Sequence, residues 1–322
     1  MEKICVCPIL NKFADGIIMI YPPYRILNPE HLFQTATQFP HVFRPRVGDS
    51  HKGTYGTLAI IGGAAGMSGA VVLAATAAVY QGCGKVWAGF NQTGLPFAVI
   101  PERPEIMLST AGQLCQRTDI GAWVVGCGLG LQEDGEHIIT WALQHTRNRP
   151  LLLDADALTL IARSQTYRNM AEQHGQLVLT PHPAEAARLL QATTADIQAN
   201  RMESAKAISQ TFNAITVLKG HQSLVATPDG QIYTNFSGNA GLATAGSGDV
   251  LSGIIGSLLT QGIDTQEAVQ AGVWLHGAAA DVLRDSQIGE IGMLAGEIAP
   301  VARWLRNRLT NQTTNPVKLW HA

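Results

Sequence analysis

Short apolar runs alternate with helix-like stretches through most of this chain, and that alternation constrains its fold more than any other feature. Thr57 to Ile61, Lys85 to Phe90, Gly121 to Gly126, Leu151 to Asp154, Leu177 to Thr180 and Ile215 to Lys219 read as strands. Most of them are apolar along their length, as strands covered on both faces are. Ser68 to Gln81, Glu136 to His145, Pro183 to Leu190 and Ala199 to Gln210 read as helices between them. Pro183 suits a first helical turn, and Ser68 is the expected N-cap of its helix. Further helices are expected at 250–260, 266–284 and 295–309, and Pro228-Asp229-Gly230 predicts a hairpin between Ser223 to Ala226 and Gln231 to Phe236. The pattern predicts an α/β fold, a mostly parallel central sheet with helices on both faces. In such sheets ligands bind beyond the C-terminal strand ends. Gly62-Gly63, Gly126 to Gly130, Asp154, Thr180-Pro181-His182 and Lys219-Gly220 should therefore gather on one edge.

Composition agrees with an enzyme-sized core. The chain has 322 residues, 46% hydrophobic and 14% charged, enough for one large domain or two ordinary ones. With 22 Lys plus Arg against 24 Asp plus Glu, no basic excess points to nucleic acid or to an anionic membrane. The run from Gly53 to Gly84 carries no charge, but Gly62, Gly63, Gly66 and Gly69 divide it into a strand and a helix rather than a membrane span. Five cysteines without a CxxC pair suggest reduced thiols and a cytoplasmic protein. The histidines show neither HxxxH nor HxH spacing. Residues 1–50 are punctuated by Pro8, Pro22, Pro23, Pro29, Pro40 and Pro45, with Ile17 to Tyr21 as one short strand. They read as an irregular N-terminal extension packed on a main domain of residues 51–322, and they contain no reactive constellation and no signal pattern.

The stretch Gly238 to Asp249 carries the chemistry. Four glycines and several small residues lead into the apolar, helix-like run that begins at Val250. Glycines let backbone amides face a ligand, and a helix start presents unpaired N–H groups with partial positive charge. Together they make an anion site, most often for phosphate. Asp249 beside it is a candidate base for a hydroxyl attacking phosphorus, with an ordinary N-cap as the competing role. Ser247 follows Gly246, so the loop is not a Walker A sequence, and Gly246-Ser247-Gly248 lacks the spacing of a GxSxG elbow. Gly62 to Gly66 imitates a dinucleotide fingerprint, but no Asp or Glu lies between Asp49 and Glu102 to hold a ribose.

Ala245-Gly246-Ser247-Gly248-Asp249 resembles the GxGD anion-hole motif of the ribokinase-like superfamily. Taken with His51-Lys52-Gly53-Thr54-Tyr55-Gly56, Ile61-Gly62-Gly63, Ser68-Gly69-Ala70, Gly126 to Gly130, Leu153 to Leu158, Leu179 to Pro183 and Leu218-Lys219-Gly220, it is similar, over roughly residues 50 to 310, to the ADP-dependent NAD(P)H-hydrate dehydratases. The resemblance implies a ribokinase-like three-layer sandwich. It implies repair of the S form of hydrated NADH or NADPH by removal of water, with ADP as co-substrate giving AMP and phosphate. It assigns Asp249 as base and the amides of Gly246, Ser247 and Gly248 as anion hole. It assigns Lys219, Gly220, His221, Gln222, Ser223 and Gly248 to the nucleotide, and Ala70, Gly128, Gly130, His182, Asn239 and Asp249 to the hydrate. Asp154 and Asp156 could hold Mg²⁺ through water, or cap the next helix. A homo-oligomer is expected.

The chain departs from the family pattern at Ala245 and Ala184, where many members have Gly, and at Cys127, where Pro is common. Residues 1–50 are too few for the epimerase domain that many bacterial members carry, so no epimerase activity is expected. Two other readings share the glycine loop. One is an ATP-dependent kinase of a small alcohol. The other is a non-catalytic adenine-nucleotide sensor, which would not need Asp249.

Overall fold

Strands supply the centre and helices the two outer layers, in an order that follows the apolar runs. The structure is a computed structural model and describes residues 24–286 and 288–314. Helix α1 (Pro29–Ala36) precedes strand β1 (Thr57–Gly62), helix α2 (Ser68–Tyr80), and strands β2 (Lys85–Phe90) and β3 (Met107–Thr110). Then come α3 (Ala111–Leu114), β4 (Ala122–Val125), α4 (Glu133–His145), β5 (Leu151–Leu153), α5 (Asp156–Arg163) and α6 (Gln165–Glu172). They are followed by β6 (Leu177–Leu179), α7 (Pro183–Leu190), α8 (Thr194–Ala199), α9 (Arg201–Phe212), β7 (Ile215–Leu218), and the strands β8 (Leu224–Ala226) and β9 (Ile232–Thr234). Helices α10 (Ser247–Thr260), α11 (Thr265–Asp285) and α12 (Ala295–Thr314) close the chain's described part.

The nine strands form one sheet in the order β3-β2-β1-β4-β5-β6-β7-β8-β9. Pairings from β3 through β7 are parallel, and β7–β8 and β8–β9 are antiparallel, as the hairpin signal implies. Alternate residues of each strand feed opposite cores. Leu58, Ile60, Val124, Leu152 and Val217 pack with α2, α10, α11 and α12 on one face. Ala59, Ile61, Val125, Leu153 and Leu218 pack with α4, α5, α7 and α9 on the other. The result is the expected three-layer α/β sandwich.

Helices α2 and α10 meet almost backbone to backbone. A Cβ placed on Gly253 would lie 2.0 Å from the Ala74 carbonyl oxygen, so only hydrogen fits there. This close approach sets α10 against the sheet, with its first turn above the C-terminal ends of the strands.

Three local expectations change. Ser68 is not the cap of α2: Met67 holds that position without a side-chain bond, and Ser68 Oγ accepts from Gln92 Nε2 at 3.0 Å. The N-terminal segment is less irregular than its prolines suggest. Pro29 occupies the first turn of α1, where no N–H is needed, and Asn28 caps it. Phe39, Val42 and Phe43 behind it are fully buried in the main core. The strand expected at Ile17 to Tyr21 lies outside the described residues.

Candidate active site

Because the strands are parallel, β1, β4, β5, β6 and β7 all end on the same edge, and the segments singled out by sequence follow them there. The first turn of α10 overhangs this edge. Gly246 is the N-cap, in left-handed conformation with φ 86°, which glycine adopts without strain. Ser247, Gly248 and Asp249 are then the first three helical residues, and the first intrahelical bond runs from Val250 N–H to Gly246 O at 3.0 Å. The amides of Gly248 and Asp249 precede it and are presented to the edge. Asp249 therefore stands inside the helix at its third position, and the N-cap alternative for this residue does not hold. Ser247 N–H bonds weakly to Thr244 O at 3.3 Å.

Asp249 is held beside charge. Its pKa is raised to about 6 by burial, with the neighbouring Cys127 side chain opposing the rise and the Asp154 charge adding to it. Lys219 Nζ lies 2.7 Å from Asp154 Oδ1 and 3.9 Å from Glu185 Oε2. Burial works against the ammonium, but the two carboxylates outweigh it and its pKa is raised. A Cβ on Gly248 would sit 3.5 Å from Lys219 Nζ, so this cation abuts the head of α10. Helix terminus and ammonium together give the edge a positive spot suited to phosphate.

The other assigned residues divide into those that face the edge and those that shape it. Gly128 and Ala70 come together, since a Cβ on Gly128 would meet Ala70 Cβ at 3.4 Å, and Gly130 lies against Ala64. The β1 and β4 loops are tied by Gly63 N–H to Cys127 O at 2.9 Å and Ala64 N–H to Gly128 O at 2.7 Å. Gly220 to Ser223 form the β7–β8 turn. Gly220 has φ 139° and lies against the Arg201 guanidinium, and Ser223 Oγ donates to Gly220 O at 3.1 Å. His221 and Gln222 are exposed there. His182 caps α7: its Nδ1 accepts from Ala184 N–H at 3.1 Å, and Glu185 Oε2 accepts from His182 N–H at 2.8 Å. The ring remains half exposed on the edge. Asn239 shapes its own turn by accepting from Gly241 N–H at 3.0 Å, and it donates to Asp281 Oδ1 at 3.1 Å.

Asp154 and Asp156 are already engaged. Asp154 Oδ1 takes Lys219 and the Ala155 amide, and Oδ2 accepts from Ser252 Oγ at 2.8 Å. Asp156 Oδ2 accepts from Gly130 N–H at 2.9 Å. Among the described residues no three His, Cys, Asp or Glu side chains converge as metal ligands. A protein-built Mg²⁺ cage does not fit these residues.

Several positioning residues were missed from sequence because each sits inside a helix and its contact to the site spans a long separation, from 17 residues for Arg201 to 43 for Asp281. Asp281 on α11 accepts from Gly238 N–H at 2.7 Å and so anchors the entry of the glycine loop. His276, also on α11, is buried and neutral, its pKa lowered to about 4 by burial, and its Nε2 lies 3.1 Å from Ser247 O. Buried Glu185 ties His182 to Lys219, and Arg201 on α9 holds the Leu218 and Lys219 carbonyls.

A mostly parallel sheet covered on both faces, with a Gly-Ser-Gly-Asp helix head on its C-terminal edge, gives the chain a ribokinase-like fold. A solved Enterococcus faecalis ribokinase-like superfamily protein shares the fold, with a TM-score of 0.72 at 24% identity over 84% of this chain and 94% of that one. The NAD(P)H-hydrate dehydratase family model matches residues 58–301, and the chain belongs to that family. The ADP-dependent (S)-NAD(P)H-hydrate dehydratase of Neisseria meningitidis serogroup B is 61% identical over 279 residues, 87% of this chain and 94% of that protein. The ADP/ATP-dependent NAD(P)H-hydrate dehydratase of Bacillus subtilis, co-crystallised with ATP and Mg²⁺, has a TM-score of 0.73 at 31% identity, covering 84% of this chain and 96% of that one. The chain spans about half the length of the bifunctional NAD(P)H-hydrate repair enzymes it also matches.

Proposed function

We infer that this protein is an ADP-dependent (S)-NAD(P)H-hydrate dehydratase, returning hydrated NADH or NADPH to NAD(P)H while ADP becomes AMP and phosphate. The observation that carries the mechanism is the position of Asp249, partly buried in the first turn of a helix whose Gly248 and Asp249 amides precede its first intrahelical bond on the same edge. Water is a poor leaving group. Asp249 takes the proton of the hydrate's hydroxyl as that oxygen attacks the terminal phosphorus of ADP. The P–O bond to AMP breaks, and the amides of Gly246, Ser247 and Gly248 stabilise the charge on the transferring oxygens. The C–O bond then breaks to release phosphate, the dihydropyridine nitrogen supplying the electron pair, and loss of a ring proton restores the double bond.

Lys219, Gly220, His221, Gln222, Ser223 and Gly248 are assigned to the nucleotide, and Ala70, Gly128, Gly130, His182 and Asn239 to the hydrate. Support comes from their common edge and from the role of Lys219 as its cation. Mg²⁺ is assigned to the nucleotide phosphates, where it would offset charge, and not to a protein cage. A cytoplasmic location accords with the free thiols of Cys83, Cys115 and Cys127. No helix among the described residues is long and apolar enough to cross a membrane. The homo-oligomer is a proposal for light scattering to check.

The test is absorbance at the dihydronicotinamide band, with hydrated NADH, Mg²⁺ and either ADP or ATP. Recovery of the band matched by AMP formation is the expected result. Phosphorylated hydrate accumulating without recovery would instead make the protein a kinase.

A further inference from the structure

A second cationic site lies at the opposite end of the sheet from Asp249. A cavity of about 510 Å³ opens between the residues that precede β1, the C-terminal ends of α2 and α10, and the flank of α12. Four arginines line it, Arg44, Arg46, Arg303 and Arg306, with no aspartate or glutamate in the lining. None of the four pairs with a carboxylate among the described residues.

Helix capping explains part of this charge. Arg46 donates to Gly82 O and Arg306 to Gln81 O, carbonyls just past the end of α2, and Arg306 also donates to Val42 O. It does not explain the remainder. Arg303 lies over the Tyr80 ring at 4.4 Å, and Arg44 is exposed on the rim. Burial lowers the pKa of Arg306 to about 10, and Arg46 and Arg44 push it the same way, so the cluster is self-repelling as it stands. A second observation is independent of the charge. Gln81 is 1% exposed and lines the same cavity, yet neither its Nε2 nor its Oε1 has a hydrogen-bond partner. A buried amide without partners costs stability unless something meets it.

We propose that this cavity binds a small, soluble, phosphate-bearing anion. Guanidinium groups take phosphate oxygens in paired hydrogen bonds, and the unpartnered Gln81 amide lies directly behind the same wall. The volume suits a sugar phosphate or a mononucleotide and is too small for a macromolecular partner. The site is not the anion loop: α10 separates the two by the length of its 14 residues, about 20 Å.

The experiment is a calorimetric titration of inorganic pyrophosphate into the full chain at 0.15 M NaCl. It is repeated on an Arg44→Ala/Arg303→Ala variant, both side chains being exposed in the native protein. The expected result is a saturable site in the native chain that weakens at least tenfold in the variant, while a site at the anion loop keeps its affinity. Should the double change lower the melting temperature, Arg44→Ala alone serves, with the same direction expected. Identical titrations in native chain and variant would overturn the proposal, as would the absence of saturable binding to the native chain.

Discussion

Asp249 costs the fold stability at neutral pH and Lys219 supplies it, and each can be tested at the level of one side chain. The pKa of Asp249 stands at about 6, above the usual carboxylate value near 4, because burial disfavours its charge. As a base it must be ionised, so kcat/KM, which reports the free enzyme, should rise with pH through about 6 and level off above it. Stability moves the other way. The native state holds this proton more tightly than the unfolded chain, so the contribution of Asp249 is fully present below about pH 4 and is lost as pH rises through about 6. Asp249→Asn should therefore cut turnover by about 10²–10⁴-fold while the melting temperature at pH 7 stays level or rises. Near-normal turnover in that stable variant would remove Asp249 as the base.

Lys219 makes a different prediction. With Asp154 buried beneath it, Lys219→Ala should destabilise the unliganded protein by about 3–5 kcal/mol, the cost of leaving a buried charge alone. Denaturant unfolding measures this. A lysine that only contacts nucleotide phosphate would leave the unliganded midpoint where it was.

Among the elements, how much the sequence shows depends on how locally each one is determined. Helix α7 matches its expected limits, Pro183–Leu190, because proline at the first position and the His182–Glu185 capping box mark the start in adjacent residues. Strands β1, β4, β5, β6 and β7 are legible because burial on both faces writes an apolar run. Strand β3 is not: Met107–Thr110 is only partly buried, pairs with β2 alone and mixes polar with apolar residues. Helix α1 was hidden by treating Pro29 as a breaker, when it sits in the first turn. The glycine loop and Asp249 could be read from spacing, whereas Asp281 and His276 act across 43 and 29 residues from within a helix. The contact between α2 and α10 yields a prediction of its own. Gly253→Ala would drive a methyl into the Ala74 carbonyl, so the helices must part, at a cost of about 1–3 kcal/mol or more. Chemical denaturation should show the loss, and turnover should fall with it because α10 carries Asp249.

For the molecule as a whole, residues 24–50 belong to the packing even though they bring no chemistry to the edge. Phe39, Val42 and Phe43 are buried, Phe39 and Phe43 lie against the Trp274 ring, and His41 Nδ1 contacts Glu267 Oε2 at 2.6 Å. A chain starting at Asp49 should lose several kcal/mol of stability, at about 1.5–3 kcal/mol for each large apolar side chain removed from the core. Its turnover per folded molecule should be unchanged. Thermal melts beside activity at low temperature separate the two effects, and equal melting temperatures would refute the packing role.

The pairing of α2 with α10 also bears on how the chain is made. Ser257 Oγ donates to the Ala78 carbonyl across 179 residues of sequence. A ribosome adds residues at about 5–20 per second, so the small apolar face of α2 waits on the order of ten seconds or more before its partner helix has been synthesised. Through that interval the nascent chain carries strands and a helix with one side uncovered. It is then, and not once folded, that the chain is most exposed to aggregation and most in need of a chaperone.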